Sequence, residues 1–256
     1  MKDSRLIHLN SLDATQSQNH YRFHFQPIVP VKHLEMQVGL ISALLPSSYY
    51  SVNSTNNSFT LDGTQYQVPP GNYSATDLVA TLDALLPCSV SYSRITNALT
   101  LTSVSSMTIS ATRLLGFSQQ TSGTSLVSDM AIDLSGTKSI MIRVLNFTDR
   151  SISSQTRSTT TTIARIPTNC ERNGVMYYFQ DRPIWQTLPH KALGHLEVEL
   201  VDDFGNTIDL RSVPFSFTLE VRAVPMVQDQ PVETHREIVN RMIEDASQRN
   251  TQSKGT

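Results

Sequence analysis

Histidines, adjacent carboxylates and grouped aromatics are the side chains of this 256-residue chain that could do chemistry. His20 and His24 stand four apart, but Tyr21, Phe23 and Phe25 alternate with Arg22 and His24 as in a half-buried strand. On a strand the two imidazoles share a face some distance apart, so they read as polar strand positions before they read as metal ligands. His190 and His195 flank the loop-like Lys191-Ala192-Leu193-Gly194 and read the same way. Asp202 and Asp203 could hold a calcium ion, yet Asp202-Asp203-Phe204-Gly205-Asn206 is first a turn, where Asp, Gly and Asn serve backbone geometry. Tyr49, Tyr50, Tyr177, Tyr178 and Trp185 could stack on a sugar. Against that, alternate rings of Tyr177, Tyr178 and Phe179 enter a core if the segment is a strand, and Trp185 reads as core packing.

No nucleophile elbow, phosphate-binding loop or H-E-x-x-H sequence occurs. Cys88 and Cys170, the only cysteines, give neither a disulfide framework nor a zinc site. The expectation is a chain that is not an enzyme, with no catalytic, cofactor-binding or metal-binding residues.

Charged residues make up 16% of the chain, against about 25% in typical soluble domains, and Ser, Thr, Asn and Gln take their place. Such a surface repels copies of itself weakly. The net charge of -2 offers no general attraction to phosphate, so nucleic acid is not an expected direct partner. Lys138, Arg143, Arg150, Arg157, Arg165 and Arg172 form a locally basic run, but are spread over strands and loops and read as solvated. No apolar run approaches a membrane span, and the first residues lack the apolar core of a signal peptide. Glycosylation triplets at Asn53, Asn56, Asn72 and Asn146 therefore read as chance.

These side chains must be positioned by a mostly β scaffold. Residues 1–18 are polar and read as an arm ordered by a partner. Strands are expected around Tyr21–Phe25, Leu34–Leu40, Ile140–Val144, Thr162–Ile166, Val175–Phe179, Ile184–Leu188, Leu196–Leu200 and Phe215–Val221. About eight strands with uneven loops fit two packed sheets. Asn146–Thr160 is too polar to order itself. Within this scaffold, Asn72 or Ser74 can cap a helix whose Leu78, Val79, Leu82, Leu85 and Leu86 recur at helical spacing before Pro87. Ser89–Ser93 and Ala98–Thr102 then read as a hairpin turning near Asn97. Ser51–Ser58 and Ser118–Ser128 are polar borders of this α+β insertion. A second helix is expected over Pro231–Arg249, with Ile238, Val239, Met242, Ile243 and Ala246 on one face.

The ordered succession LNSLDAT (Leu9–Thr15), NHYRFHF (Asn19–Phe25), VGLISALLPSSYY (Val38–Tyr50), the insertion Val68–Phe117, GHLEVELVDDFGNTIDL (Gly194–Leu210) and FSFTLEV (Phe215–Val221) resembles the penton proteins of Polinton-like viruses, virophages and related elements. No single piece is diagnostic; their order carries the resemblance, which spans most of the chain. It implies a single jelly-roll β-sandwich that forms homopentamers at the vertices of an icosahedral capsid. The implied partners are other copies of the chain, the neighbouring hexon-type major capsid protein, and a minor capsid or fibre protein. The implied location is the virion vertex, after synthesis in the host cell without a signal peptide. A double jelly roll needs roughly twice the strands of one roll, each about five or six residues plus loops, and does not fit this length.

The expected layout is an N-terminal arm (1–18), a jelly roll (19–57 and 119–230), an α+β insertion (58–118) facing outward, and a C-terminal amphipathic helix and tail (231–256). The arm is expected against the shell interior or a neighbouring hexon. Ile238, Met242 and Ile243 are candidate partner contacts, the other reading being that their helix folds back on its own sandwich. A cement or minor capsid protein, or a carbohydrate- or receptor-binding β-sandwich, remains the alternative.

Overall fold

The computed structural model describes residues 4–17, 20–29, 34–147, 151–153, 158–188 and 192–225. In chain order, β1 (Ser4–Asn10), a 3-10 turn (Ser11–Asp13), β2 (Thr15–Ser17), β3 (His20–Ile28) and β4 (Leu34–Pro46) come first. Next are β5 (Ser58–Leu61), β6 (Thr64–Gln67), α1 (Ala75–Leu85), β7 (Ser89–Ser93), β8 (Ala98–Ile109) and β9 (Thr121–Val127). The chain closes with β10 (Ser139–Val144), β11 (Ser151–Ser153), β12 (Ser158–Thr160), β13 (Thr162–Pro167), β14 (Val175–Phe179), β15 (Gln186–Thr187), β16 (Leu193–Val201) and β17 (Ser216–Pro225).

Alternation decides the packing. Tyr21 and Phe23 on β3, Leu196, Val198 and Leu200 on β16, and Phe217, Leu219 and Val221 on β17 are buried while their neighbours face outward. Two antiparallel sheets result, in the orders β1-β17-β4-β14 and β13-β10-β16-β3-β2, with β15 added to β4. Each connection between long strands crosses from one sheet to the other, except the β10–β13 hairpin. Four long strands per sheet in these orders make a single jelly roll. The sheets close on Tyr21 and Phe215, 4.7 Å apart edge-to-face, and Phe23 and Phe217, 5.5 Å apart.

A register shift opposite Thr218 and Leu219 leaves Ile41 without a partner on β17. This bulge inverts the parity of β4: Val38 and Leu40 point inward before it, Ala43 and Leu45 after it.

Between β4 and β10 the chain builds a third sheet, β6-β5-β8-β7, to which β9 adds by pairing with β8. Its apolar side, with Leu78 and Leu82 of α1, forms a core separate from the sandwich core. Ser74 caps α1, accepting from the Asp77 amide, and the Asp77 carboxylate accepts from the Ser74 amide in return. Leu85, expected on the buried face, is exposed, and Val79 is only partly covered. Asp62 and Gly63, both at positive φ, close the β5–β6 hairpin, and Asn97 at φ 56 sits at the turn between β7 and β8. Gly116 has φ +79, and a Cβ there would lie 2.3 Å from the Met130 carbonyl oxygen.

Three expectations change. Residues 4–17 are not a free arm: β1 pairs along β17 from Ser4↔Arg222 to Asn10↔Ser216, and β2 pairs with β3. The polar border Ser118–Ser128 contains β9, whose Leu126 is buried in the third sheet's core. The segment Asn146–Thr160 carries the β11–β12 pair. The helix expected at Pro231–Arg249 lies outside the described residues.

Ser74→Ala should lower the stability of the third-sheet unit by about 1 kcal/mol, read as a shift in its urea midpoint. Hydrogen bonds from the Ser74 side chain and then its backbone hold the Asp77 carboxyl below the ordinary Asp range. Its contribution is therefore present above the unfolded Asp pKa and lost as pH falls through the lower folded value. The difference between wild type and Ser74→Ala should shrink on acidification through that window.

Candidate assembly surface

The histidines sit on the outward face of the second sheet, where β3, β16 and β10 run side by side. His20 Nε2 is 4.0 Å from Glu199, His195 Nε2 is 3.8 Å from Glu197, and the His24 and His195 rings are 6.1 Å apart. Arg22 donates to Glu197 at 2.5 Å, and Arg143 approaches Glu199 at 3.8 Å. The arrangement is a surface charge network in which each carboxylate is shared by an arginine and an imidazole. The more exposed pair, Arg22 with Glu197, contributes about 0–1 kcal/mol, while Arg143 and Glu199 are largely buried. Among the described residues, no three His, Cys, Asp or Glu side chains are grouped to hold a metal. His190 lies outside the described residues.

Asp202 and Asp203 divide two structural tasks. The Asp202 carboxylate accepts from the amides of Phe204 and Asn206 at 2.8 Å each, with Gly205 at φ +85, which makes the turn. Asp203 accepts from Arg165 at 2.7 Å and from the Ser139 hydroxyl at 2.5 Å, and Arg165 Nε also donates to Ser139. This clip satisfies a nearly buried hydroxyl and fastens β10 and β13 to the turn after β16. Cys88 and Cys170 are free thiols. Burial, with Asp83 and Asp62 nearby, pushes the Cys88 thiol up, which favours its protonated, unreactive form.

The aromatics do not converge. Tyr49 and Tyr50 line an open cleft between the sandwich and the third sheet. Arg211 lies over the Tyr50 ring at 4.2 Å, and burial raises the Tyr49 phenol against the opposing pull of Ser47 and Thr168. Trp185 is on the outward face of the first sheet, not in the core. Its ring packs over Gly39, where a Cβ would come within 3.3 Å of it and within 2.6 Å of Pro183. Arg222 stacks over the ring at 3.6 Å and donates to Gln37 Oε1, Gln37 donates to Glu35, and Thr187 donates to Glu35 as well. At Tyr50 and at Trp185 one ring face that a sugar could use is thus covered by a guanidinium group.

The asparagines of the glycosylation triplets mostly tie the third sheet to the sandwich. Asn72 accepts from the Ser51 amide at 2.8 Å, Asn56 donates to the Ser51 carbonyl at 2.8 Å, and Asn53 donates to the Tyr50 carbonyl at 3.3 Å. Arg172, just before β14, donates to the carbonyls of Tyr73 and Leu134 from the other side. Polarity at this junction marked a border in the sequence; in the structure it is a bonded joint.

Beyond Trp185 the first sheet's outward face becomes apolar. Val175, Tyr177 and Phe179 of β14 point away from the core while Met176 and Tyr178 pack toward it, and Leu44 stands across from Tyr177. The expected alternation holds, with Tyr178 turned to the core and Tyr177 and Phe179 exposed. Ile238, Met242 and Ile243 lie outside the described residues. No described helix is long and apolar enough to cross a membrane.

No protein-family model matches the sequence, and no curated protein matches it. Among solved structures, the mavirus penton protein is similar, with TM-score 0.51 and 8% sequence identity, covering 87% of this chain and 100% of that chain. The fold is penton-like.

The single tryptophan allows a direct test of the polar half of this face. Gly39→Val should unseat Trp185, red-shifting its emission and raising its acrylamide quenching. Arg222→Ala should do so partially and cost about 0.5–2 kcal/mol, measured by urea unfolding.

Proposed function

We propose that this chain is a structural capsid protein, a penton that forms homopentamers at the icosahedral vertices and contacts the neighbouring hexon-type major capsid protein. The observation that carries the reading is the likeness of this fold to a penton protein, over 87% of this chain and 100% of that one. The low share of charged residues supports it, because copies packed side by side need surfaces that do not repel.

Five copies would close a ring through a heterologous interface, one flank of each sandwich meeting the other flank of the next. Many weak contacts, not one strong one, would hold the vertex together. The unit built from β5 to β9 and α1 would stand outward as an upper domain, since it joins the sandwich at one place, through the Asn53–Asn72 joint and Arg172. In that position a minor capsid or fibre protein could meet it without disturbing ring closure.

Light scattering of the purified protein followed by negative-stain class averages tests the ring. Fivefold particles of five chain masses are expected, whereas a stable trimer would replace the penton with a cement-type shell protein. A vertex map should place the third-sheet unit on the outer side, and density for it inside the shell would refute the orientation.

A further inference from the structure

The cleft between the sandwich and the third sheet has a volume of about 1170 Å³, at the large end of what small-ligand sites enclose. Its lining is drawn from residues within 49–58, 112–114, 133–138 and 202–211, together with Pro70. Apart from Ser58 at the start of β5 these residues lie outside the strands, so an incoming peptide finds little strand edge to extend.

Most polar groups in the lining are already spent. Asp202 accepts from the Phe204 and Asn206 amides, Asp203 from Arg165 and Ser139, Asp133 from the Ser135 amide and hydroxyl, and Asp209 from the Arg211 amide. The Asn53 and Asn56 side chains serve the joint. Arg211 and Ser212 take successive positive φ angles, 55 and 60, in a turn that lays the Arg211 guanidinium on the Tyr50 ring.

The groups left over have a common character. The hydroxyls of Ser54, Ser58, Thr112 and Thr207, the Arg113 guanidinium and the Lys138 ammonium make no hydrogen bond or ion pair with any described residue. Phe204, in the same lining, is 61% exposed. Lys138 precedes Ser139 and Phe204 follows Asp203, so the Ser139–Asp203 hydrogen bond sets both on the sandwich wall, while Arg113 comes from the third-sheet side. A sugar ring carries C–H groups that pack on an aromatic face and hydroxyls that pair with Ser and Thr, and uncommitted cations call for an acidic substituent on it.

We propose that this cleft binds a glycan bearing a carboxylate or a sulfate, with Phe204 against a sugar ring, Lys138 and Arg113 on the acidic group, and the unspent hydroxyls on the edge of the ring. The inference goes beyond the penton reading and holds for a single chain as for a ring.

Titration of the full-length protein with sialylated, glucuronate-bearing, sulfated and neutral oligosaccharides and with a hexaglutamate peptide, read by saturation-transfer NMR and calorimetry, tests it. Saturable binding of an acidic sugar is expected, with the neutral sugars about tenfold weaker, and the better acidic class tells carboxylate from sulfate. Lys138→Gln with Arg113→Gln should abolish that preference and leave the neutral sugars unchanged, while Phe204→Ala should weaken every sugar about fivefold. All three side chains are exposed, so circular dichroism and the urea midpoint should not move, which separates lost binding from lost folding. No saturable binding of any acidic sugar, equal affinity for neutral ones, or affinities untouched by both variants would overturn the proposal. Tighter binding of the peptide would overturn it too and reassign the cleft to an acidic protein segment.

Discussion

Tyr21 and Phe23 meet Phe215 and Phe217 across the sandwich, and the rest of the fold depends on that contact. Each edge-to-face pair adds about 0.5–1.5 kcal/mol beyond the area it buries. More important is where it holds the strands. It sets β17 against β3, and β17 in turn carries β1 on one side and β4 on the other. Through β4 it fixes the β14 edge, the seat of Trp185 and the start of the segment that leads into the third sheet.

Much of this was legible because burial on one side of a strand writes itself as alternation. Tyr21/Phe23, Leu196/Val198/Leu200 and Phe217/Leu219/Val221 were read correctly for that reason, and α1 was announced by its candidate caps Asn72 and Ser74, of which Ser74 is the cap. The strands that escaped are those in which the backbone carries the pairing. In β1 only Leu9 is buried, and Leu6, Ile7 and Leu9 do not alternate cleanly. In β9 only Leu126 is buried, so a run of Thr, Ser and Gly looks like a loop. The Asp62-Gly63 pair signalled the β5–β6 hairpin and could have been used. The bulge at Ile41 has no sequence mark, because its cause is the demand for inward residues on both halves of a long strand.

The surfaces were less legible than the core. Alternation predicts that β14 has one buried and one exposed set of side chains, but a strand with large apolar groups on both sides does not say which is which. Trp185 was read inward because tryptophan usually is; a glycine on the neighbouring strand and an arginine two strands away together made an outer seat for it. The two outward faces consequently differ in kind. One is a lattice of shared charges among His20, Arg22, Arg143, His195, Glu197 and Glu199, and the other passes from a polar π-stack to bare apolar rings. A molecule with two unlike flanks can join its neighbours head to tail, which is the geometry a closed ring requires.

The pairing of β1 with β17 also dictates an order of events in time. Ser4 and Arg222 are partners, so among the described residues β1 pairs with a strand made long after it, β17. The contacts among β5, β6, α1, β7, β8 and β9 are local by comparison and can form while the rest is still being synthesised. Contact separation therefore favours folding of the inserted unit before the sandwich around it. Until β17 is made, β4 lacks one of its neighbours and Phe23 its ring partners, a long exposure for apolar strands that the sparse, polar character of β1 makes safer.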